Sequence, residues 1–212
     1  MKPISKSITV SAAVNNAVCA DQTTAGAGNL LINGANASGG VATFTVPYAV
    51  SVTSTGNDST RTYTITGTNA SGNVISQTIT GPNATTVFTT MAFKTVTQVA
   101  VSGATVGTVR VGFGSFGVTA PIPLDYHGRP EFSLQVVTDT TTGTPTWTVQ
   151  QTLDDIQTNL YPTWFDHPDT NMVSQNISRQ GNYAYIPTAV RLKITSSTGG
   201  ATLTVIQAGL QE

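Results

Sequence analysis

The sequence predicts an all-β protein made of two consecutive β-sandwich (jelly-roll-like) domains with almost no helix. Apolar and polar residues alternate with a period of two in many short runs, which is the pattern of half-buried strands. Clusters of Gly, Asn and Pro separate these runs and supply the backbone angles that chain reversals require. The chain has 212 residues, which is about twice the length of a single sandwich of roughly 100 residues.

The clearest strand pattern lies in the first half of the chain. Its predicted dry face carries Phe44, Val46, Tyr48, Val50 and Val52, and its predicted wet face carries Thr43, Thr45 and Ser51. The same alternation recurs around Ile65, Val101, Val111, Leu134, Trp147, Leu192 and Val205. This number of short strands is typical of β-sandwiches.

Turn signals lie between the predicted strands. They occur at residues 33–34, 38–40, 56–58, 71–73, 81–83, 143–145 and 199–200. The only helix candidate is the segment 150–160, which lacks an apolar stripe at three- and four-residue spacing. We therefore expect at most a short turn there.

A weak internal repeat suggests that the two domains share one topology. Residues 93–102 followed by 109–111 align with residues 186–195 followed by 203–205, and residues 62–65 align with residues 146–149. Chance similarity between two Thr-rich sequences is the alternative explanation.

A Gly- and Pro-rich stretch at residues 112–130 predicts the connection between the domains. We therefore expect an N-terminal domain with an arm at residues 1–118 and a C-terminal domain at residues 119–212. Within the connection, Ile122, Leu124 and Tyr126 are expected to pack against a domain.

Charge is scarce along the whole chain. The sequence contains nine Lys and Arg residues and ten Asp and Glu residues. Charged residues make up 9% of it, compared with about a quarter in typical proteins. Nucleic-acid binding depends on clustered basic residues, so no nucleic-acid partner is expected. No apolar stretch approaches the roughly 20 residues of a membrane span. A near-neutral surface also weakens the repulsion between copies, which favours assembly.

Motifs for chemistry are missing from the sequence. Cys19 is the only cysteine, so we expect a buried or idle thiol rather than a disulfide. We find no paired metal-ligand spacing, nucleophile motif or phosphate loop, and we predict no metal, no cofactor and no enzymatic activity. Lys2 and Lys6 precede a mildly apolar stretch that resembles an export signal, but its alternation favours a strand.

Two groups of residues in the second half are candidates for a site. The first comprises Asp154, Asp155, Asp166, His167 and Asp169, whose spacing matches neither a calcium loop nor an acid–base pair, so we interpret them as solvated loop residues. The second comprises the aromatic residues Tyr161, Trp164, Phe165, Tyr183 and Tyr185. Aromatic rings on a sandwich can hold a sugar ring, although core packing or a subunit contact is the favoured interpretation.

Segments along most of the chain resemble small virion proteins of tailed bacteriophages. These segments are residues 92–97, 111–114, 122–126, 164–168, 181–183, 189–192 and 203–209. The resemblance implies a sandwich or jelly-roll module that coats or decorates the particle, forms homo-oligomers and catalyses nothing. We therefore expect a capsid decoration or cement protein of the virion, assembled in the host cytoplasm. Its expected partners are copies of itself and a phage coat or other virion protein.

Further hypotheses follow from particular residues. Ile4, Ile8 and Val10 alternate near the N-terminus and predict an arm that adds a strand to a neighbouring subunit. The alternative function is a tail- or fibre-associated module that binds a glycan or receptor through Tyr161 and the neighbouring aromatic residues. An enzyme and an exported adhesin domain are less favoured.

Overall fold

The computed structural model describes residues 3–127, 132–195 and 198–207, and it confirms the predicted all-β class. Within these ranges the only helical element is a single 3-10 turn, Thr170–Met172. The strands are, in chain order, β1 (Ile4–Val10), β2 (Val14–Gln22), β3 (Gly28–Asn29), β4 (Ala37–Ser38), β5 (Val41–Ser54), β6 (Thr62–Thr68), β7 (Val74–Thr80), β8 (Thr86–Val101), β9 (Val109–Val118), β10 (Ile122–Pro123), β11 (Phe132–Asp139), β12 (Trp147–Thr152), β13 (Phe165–Asp166), β14 (Arg179–Gly181), β15 (Ala189–Ile194) and β16 (Gly199–Gln207).

The chain divides into two compact units. The central unit is Ala12–Phe116, and the terminal unit combines Met1–Ser11 with Gly117–Glu212. The first eleven residues, which the sequence analysis placed in the N-terminal domain, thus belong with the second half of the chain. The reason is that β1 pairs antiparallel with β16 along all seven of its residues, without a register shift.

The terminal unit contains two sheets. One has the strand order β1-β16-β11-β14, and in the other β15 lies between β12 and β10, with β13 at the outer edge of β12. Their buried side chains form an apolar core that includes Ile8, Val136, Trp147, Leu192 and Leu203. Burial of such side chains from water is the main force that stabilises the unit.

The central unit is organised around the long strands β5 and β8. These strands pair antiparallel with two register shifts, and β6 and β7 extend the sheet beyond β8. Phe44, Tyr48 and Phe113 form an aromatic cluster, with Tyr48 and Phe113 stacked at 4.4 Å between ring centroids. Cys19 is buried in this unit as expected, and burial raises the pKa of its thiol to about 12.

The two units share part of a strand topology, although β5 pairs with β8 in the central unit whereas the matching strands β11 and β15 lie in different sheets of the terminal unit. In each unit the first strand pairs with the last, the last lies beside a long strand, and an aromatic-bearing strand pairs with the strand before the last. The matching strands are β2 with β1, β5 with β11, β6 with β12, β8 with β15 and β9 with β16. The pairing registers of these aromatic strands agree as well. Tyr63 pairs with Val101 in the central unit, and the corresponding Trp147 pairs with Ile194 in the terminal unit. This agreement supports the internal repeat that the sequence indicates.

The predicted connection at residues 112–130 is more ordered than expected at its beginning. Residues 112–118 continue strand β9. The absence of a side chain at Gly112 leaves room for the backbone of Val14 on β2. Of the three apolar residues expected to pack, Ile122 and Leu124 are buried, whereas Tyr126 is exposed. The end of the connection, residues 128–130, lies outside the described residues.

Hydroxyl groups, not charges, cover the outer faces of the sheets. Cross-strand hydroxyl pairs at 2.7–3.1 Å join Ser5 to Thr204, Ser7 to Thr202, Thr53 to Thr86, Thr64 to Thr78, Thr66 to Ser76 and Thr68 to Thr95. Among the described residues a single salt bridge is present, between Arg110 and Asp21 at 3.7 Å. The surface is therefore polar and nearly uncharged.

Candidate functional site

A loop in the terminal unit exposes a group of large apolar side chains, which includes Tyr161 from the predicted aromatic residues. This aromatic loop, residues 153–164, joins β12 to β13. Leu153, Leu160, Tyr161 and, at the start of β13, Phe165 are 65, 40, 53 and 59% exposed. Large apolar side chains in such a group commonly mark a contact surface.

Hydrogen bonds hold the aromatic loop in a defined conformation. The backbone N–H of Thr163 donates to Asp154 Oδ2 at 2.6 Å, which closes the loop on itself. The Thr188 hydroxyl donates to the Asp154 carbonyl oxygen, and the Thr188 N–H donates to the Thr152 carbonyl oxygen. These bonds attach the loop to the segment that leads into β15. The exposed apolar side chains are thus displayed on a fixed backbone.

The acidic residues of this region organise turns. Asp155 accepts hydrogen bonds from the backbone N–H of Gln157 and from the Thr158 hydroxyl, and these bonds lower the pKa of Asp155. Asp169 caps the 3-10 turn by accepting from the Asn171 N–H at 2.9 Å. No three His, Cys, Asp or Glu side chains come together as metal ligands in the described parts of the chain.

One face of the β12–β13–β15 sheet carries a polar cluster built on Arg191. Gln150 on β12 lies opposite both Arg191 and Asp166. Gln150 Oε1 accepts from Arg191 Nε at 2.9 Å and from Arg191 Nη2 at 2.7 Å, while Gln150 Nε2 donates to Asp166 Oδ1 at 2.8 Å. The guanidinium carbon lies 4.1 Å from the ring centroid of Trp164, within the range of a cation–π interaction.

The Arg191 cluster remains charged at neutral pH. Although the residue keeps partial solvent access, enclosure of its guanidinium lowers the pKa of Arg191 to about 9, and the nearby Asp166 carboxylate acts in the opposite direction. The arrangement offers a cation, a carboxylate and an aromatic ring on one face.

The opposite face carries a second group of aromatic residues. Phe165 lies opposite Gln151 in the β12–β13 pair, and Gln151 Nε2 donates to the Tyr185 hydroxyl at 2.6 Å. Tyr185 is 6.0 Å from Tyr183 between ring centroids. This face is continuous with the apolar core, because Trp147 and the neighbouring odd-numbered residues of β12 also point to it.

Tyr183 and His167 belong to the core of the unit. The Tyr183 ring stacks on Phe132 at 5.5 Å and contacts the His167 ring at 4.1 Å. His167 Nδ1 accepts a hydrogen bond from the Asp169 N–H at 3.0 Å. Burial lowers the pKa of His167, and the Asp169 carboxylate acts against that shift. Both rings therefore serve packing.

The structure thus separates the five predicted aromatic residues into three environments. Tyr161, Phe165 and Tyr185 are exposed, Trp164 covers Arg191 on the other face, and Tyr183 is buried. Sequence reasoning missed Arg191 and its partner Gln150. A signal was present, since Arg191 is a charged residue between the apolar residues Val190 and Leu192 of a predicted strand.

The predicted arm residues lie within the sheet of their own chain. Ile4, Ile8 and Val10 are buried, and the strand that carries them pairs with β16. Lys6, on the same face of the strand, is exposed at the edge of the sheet. These residues complete the terminal unit.

Comparisons with protein families, curated proteins and solved structures find no match to this chain. No helix of the described residues is long and apolar enough to cross a membrane. The geometry defines the class as an all-β protein of two sandwich-like units that share part of their strand topology, with an aromatic loop exposed on the terminal unit.

Proposed function

We propose that the chain is a non-enzymatic structural component of a bacteriophage particle, most specifically a capsid decoration or cement protein. In this proposal it self-associates, docks on the coat and resides in the virion after assembly in the host cytoplasm. The aromatic loop carries the proposal: its exposed apolar side chains are held by hydrogen bonds on a fixed backbone. Such a surface loses little conformational freedom on binding, which favours docking.

The surface composition also suits a particle subunit. Cross-strand hydroxyl pairs and a scarcity of charge leave little electrostatic repulsion between neighbouring copies. Many weak contacts on a symmetric lattice add up to strong attachment, so each copy requires only a small docking surface.

The candidate acid and base groups are engaged in structure. Asp154 closes the aromatic loop, Asp155 and Asp169 organise turns, and the His167 ring packs on Tyr183. General acid–base catalysis requires such groups to reach a substrate. Their engagement in turns and core packing favours a structural role.

The docking role can be tested with particles that lack the chain. Phage whose gene carries an early stop codon are purified and mixed with the isolated protein, and bound protein is measured after the particles are pelleted. We expect the wild-type protein to pellet, and a Leu153→Ser, Tyr161→Ser double variant to bind about 30-fold more weakly, since two interface hot spots of about 1 kcal/mol each add up to about 2 kcal/mol.

Leu31→Ser is the matched control, because Leu31 is also 64% exposed but lies in the central unit. It should bind like the wild type. Failure of the wild-type protein to bind particles contradicts the docking proposal, and equal binding of the double variant shows that the loop is not the contact. A phage that forms no particles without the gene supports a structural role.

The Arg191 cluster supports a second candidate function, a tail- or fibre-associated module that binds a glycan or receptor. Sugar recognition combines an aromatic face with planar polar groups, and Trp164, Arg191 and Asp166 provide both. A glycan array combined with sedimentation distinguishes the candidates. Tight sugar binding by a monomer, lost in Trp164→Ala, favours the second function, whereas no sugar binding by a self-associating chain favours the first.

A further inference from the structure

Strand β7 forms an open edge of the sheet in the central unit. On one side it pairs with β6 along all seven of its residues. On its other side no strand of the described residues is paired with it. A free edge presents a row of backbone N–H and C=O groups that can pair with another chain.

Other strands at the margins of the sheets carry protection that β7 lacks. The seven-residue strand β1 has Lys6 in its middle, β14 is three residues long and begins with Arg179, and β13 is two residues long and ends with Asp166. The outer side of β2 is covered by residues 34–36, whose N–H groups donate to β2 carbonyls. An edge strand is usually kept unpaired by a lysine on the edge, by a short strand length or by a loop that covers it.

The sequence around β7 contains no charged residue. No Asp, Glu, Lys or Arg occurs in residues 62–93, which include β6, β7 and the first half of β8. Strand β7 itself, Val74–Thr80, contains neither Pro nor Gly and is rich in β-branched residues. A segment of this length and composition has a high tendency to pair with its own copy.

The residue order of β7 is self-complementary about Gln77. In an antiparallel pair of two β7 strands centred there, Ile75 faces Ile79 and Ser76 faces Thr78. The Ser76 and Thr78 hydroxyls already form pairs with Thr66 and Thr64 on β6. The rows of outward hydroxyls would therefore continue across the junction, with apolar residues opposite each other on the inner face.

We propose that β7 pairs antiparallel with β7 of a second copy of this chain, about a two-fold axis at Gln77. The inference rests on the proposed self-association and specifies its interface. A two-fold pair uses both open edges, so the contact closes as a dimer and does not propagate into a fibre.

The test compares two lysine substitutions by sedimentation velocity over a range of protein concentrations. Thr78→Lys places a charge on the open edge and removes a hydroxyl pair of 2.8 Å. Ser7→Lys does the same on the edge of β1, where the Ser7 hydroxyl pairs with Thr202 at 2.8 Å. We expect Thr78→Lys to weaken dimerisation about tenfold or more and Ser7→Lys to leave it unchanged.

Amide hydrogen exchange of the wild-type protein gives a second measurement that does not depend on a variant. Protection of residues 74–80 should increase with protein concentration, whereas protection of residues 4–10 should not. Dimers that survive Thr78→Lys, without added protection of β7, overturn the β7 contact but leave self-association intact. A wild-type chain that stays monomeric overturns the β7 contact as well, and its presence in particles then decides the proposed function separately.

Discussion

Asp58 provides a sharp test of how the central unit is stabilised. Its side chain is fully buried, and its carboxylate accepts from the Ser54 hydroxyl at 2.5 Å and from the Val106 N–H at 2.8 Å. These bonds join the turn after β5 to the turn before β9. Asp58→Ala removes the acceptor and leaves both donors without a partner.

The expected destabilisation follows from these two bonds. Hydrogen bonds to a charged group contribute about 1.5–3 kcal/mol each, and relief of the desolvation of the carboxylate offsets part of the loss. We therefore expect Asp58→Ala to lower the free energy of unfolding of the central unit by about 3 kcal/mol. For a unit of about 100 residues this corresponds to a fall of about 15 °C in Tm.

Thermal unfolding followed by circular dichroism, together with urea titration, measures the effect. Asp21→Ala is the matched control, because Asp21 lies in the same unit, is exposed and has only the 3.7 Å contact with Arg110. It should change stability by less than about 0.5 kcal/mol. If Asp58→Ala and Asp21→Ala have equal and small effects, the reasoning about buried hydrogen bonds is refuted.

Three further predictions concern other positions. Arg191→Met should lower the free energy of unfolding by about 1–2 kcal/mol and change the fluorescence of Trp164, and an unchanged spectrum would contradict the stacking. His167 has a pKa lowered by burial, so the unfolded chain binds its proton more readily and stability should fall as pH falls below 6.5. Urea titrations at several pH values should show that His167→Asn reduces the dependence of the free energy of unfolding on pH. An equal dependence in the variant and the wild type would argue against a contribution of His167. Gly67→Ala places a Cβ against a backbone carbonyl of β8 and should destabilise by about 2 kcal/mol or more in urea titrations, whereas Gly28→Ala has open space around it and should be neutral.

Period-two patterning predicted most of the strands because alternation is a local property. It failed within β5, where Ser51 was expected on the wet face and is instead buried. Strand β5 lies between β8 and β9 and has two register shifts in its pairing with β8. Ser51 is buried together with its neighbours Val50 and Val52, so both faces of this part of β5 are covered, and alternation cannot reveal burial on both faces.

The sequence pattern could not predict which strands pair when they are far apart in the chain. The alternation around Ile8 predicted a strand, but the partner strand begins at Gly199, near the other end of the chain. Nothing in the residues of β1 identifies β16 as its partner, since both faces of many strands here have similar Thr-rich composition. The division of the units therefore differs from the contiguous one that the sequence suggested.

The candidate site was predicted in part. The aromatic residues were correctly noticed as a group, but Trp164 and Phe165 are adjacent on an extended segment and belong to opposite faces of the sheet. Strand periodicity, applied to this segment, would have separated them. The role of Arg191 required the structure, because its partners lie about 25 and 40 residues away along the chain.

Counting the copies of this chain in purified phage particles tests the central proposal most directly. Quantitative mass spectrometry of gradient-purified particles measures the ratio of the chain to the major coat protein. We expect many copies per particle in a fixed ratio to the coat. Particles that contain none, while the chain accumulates free in the lysate, would contradict a structural role in the virion.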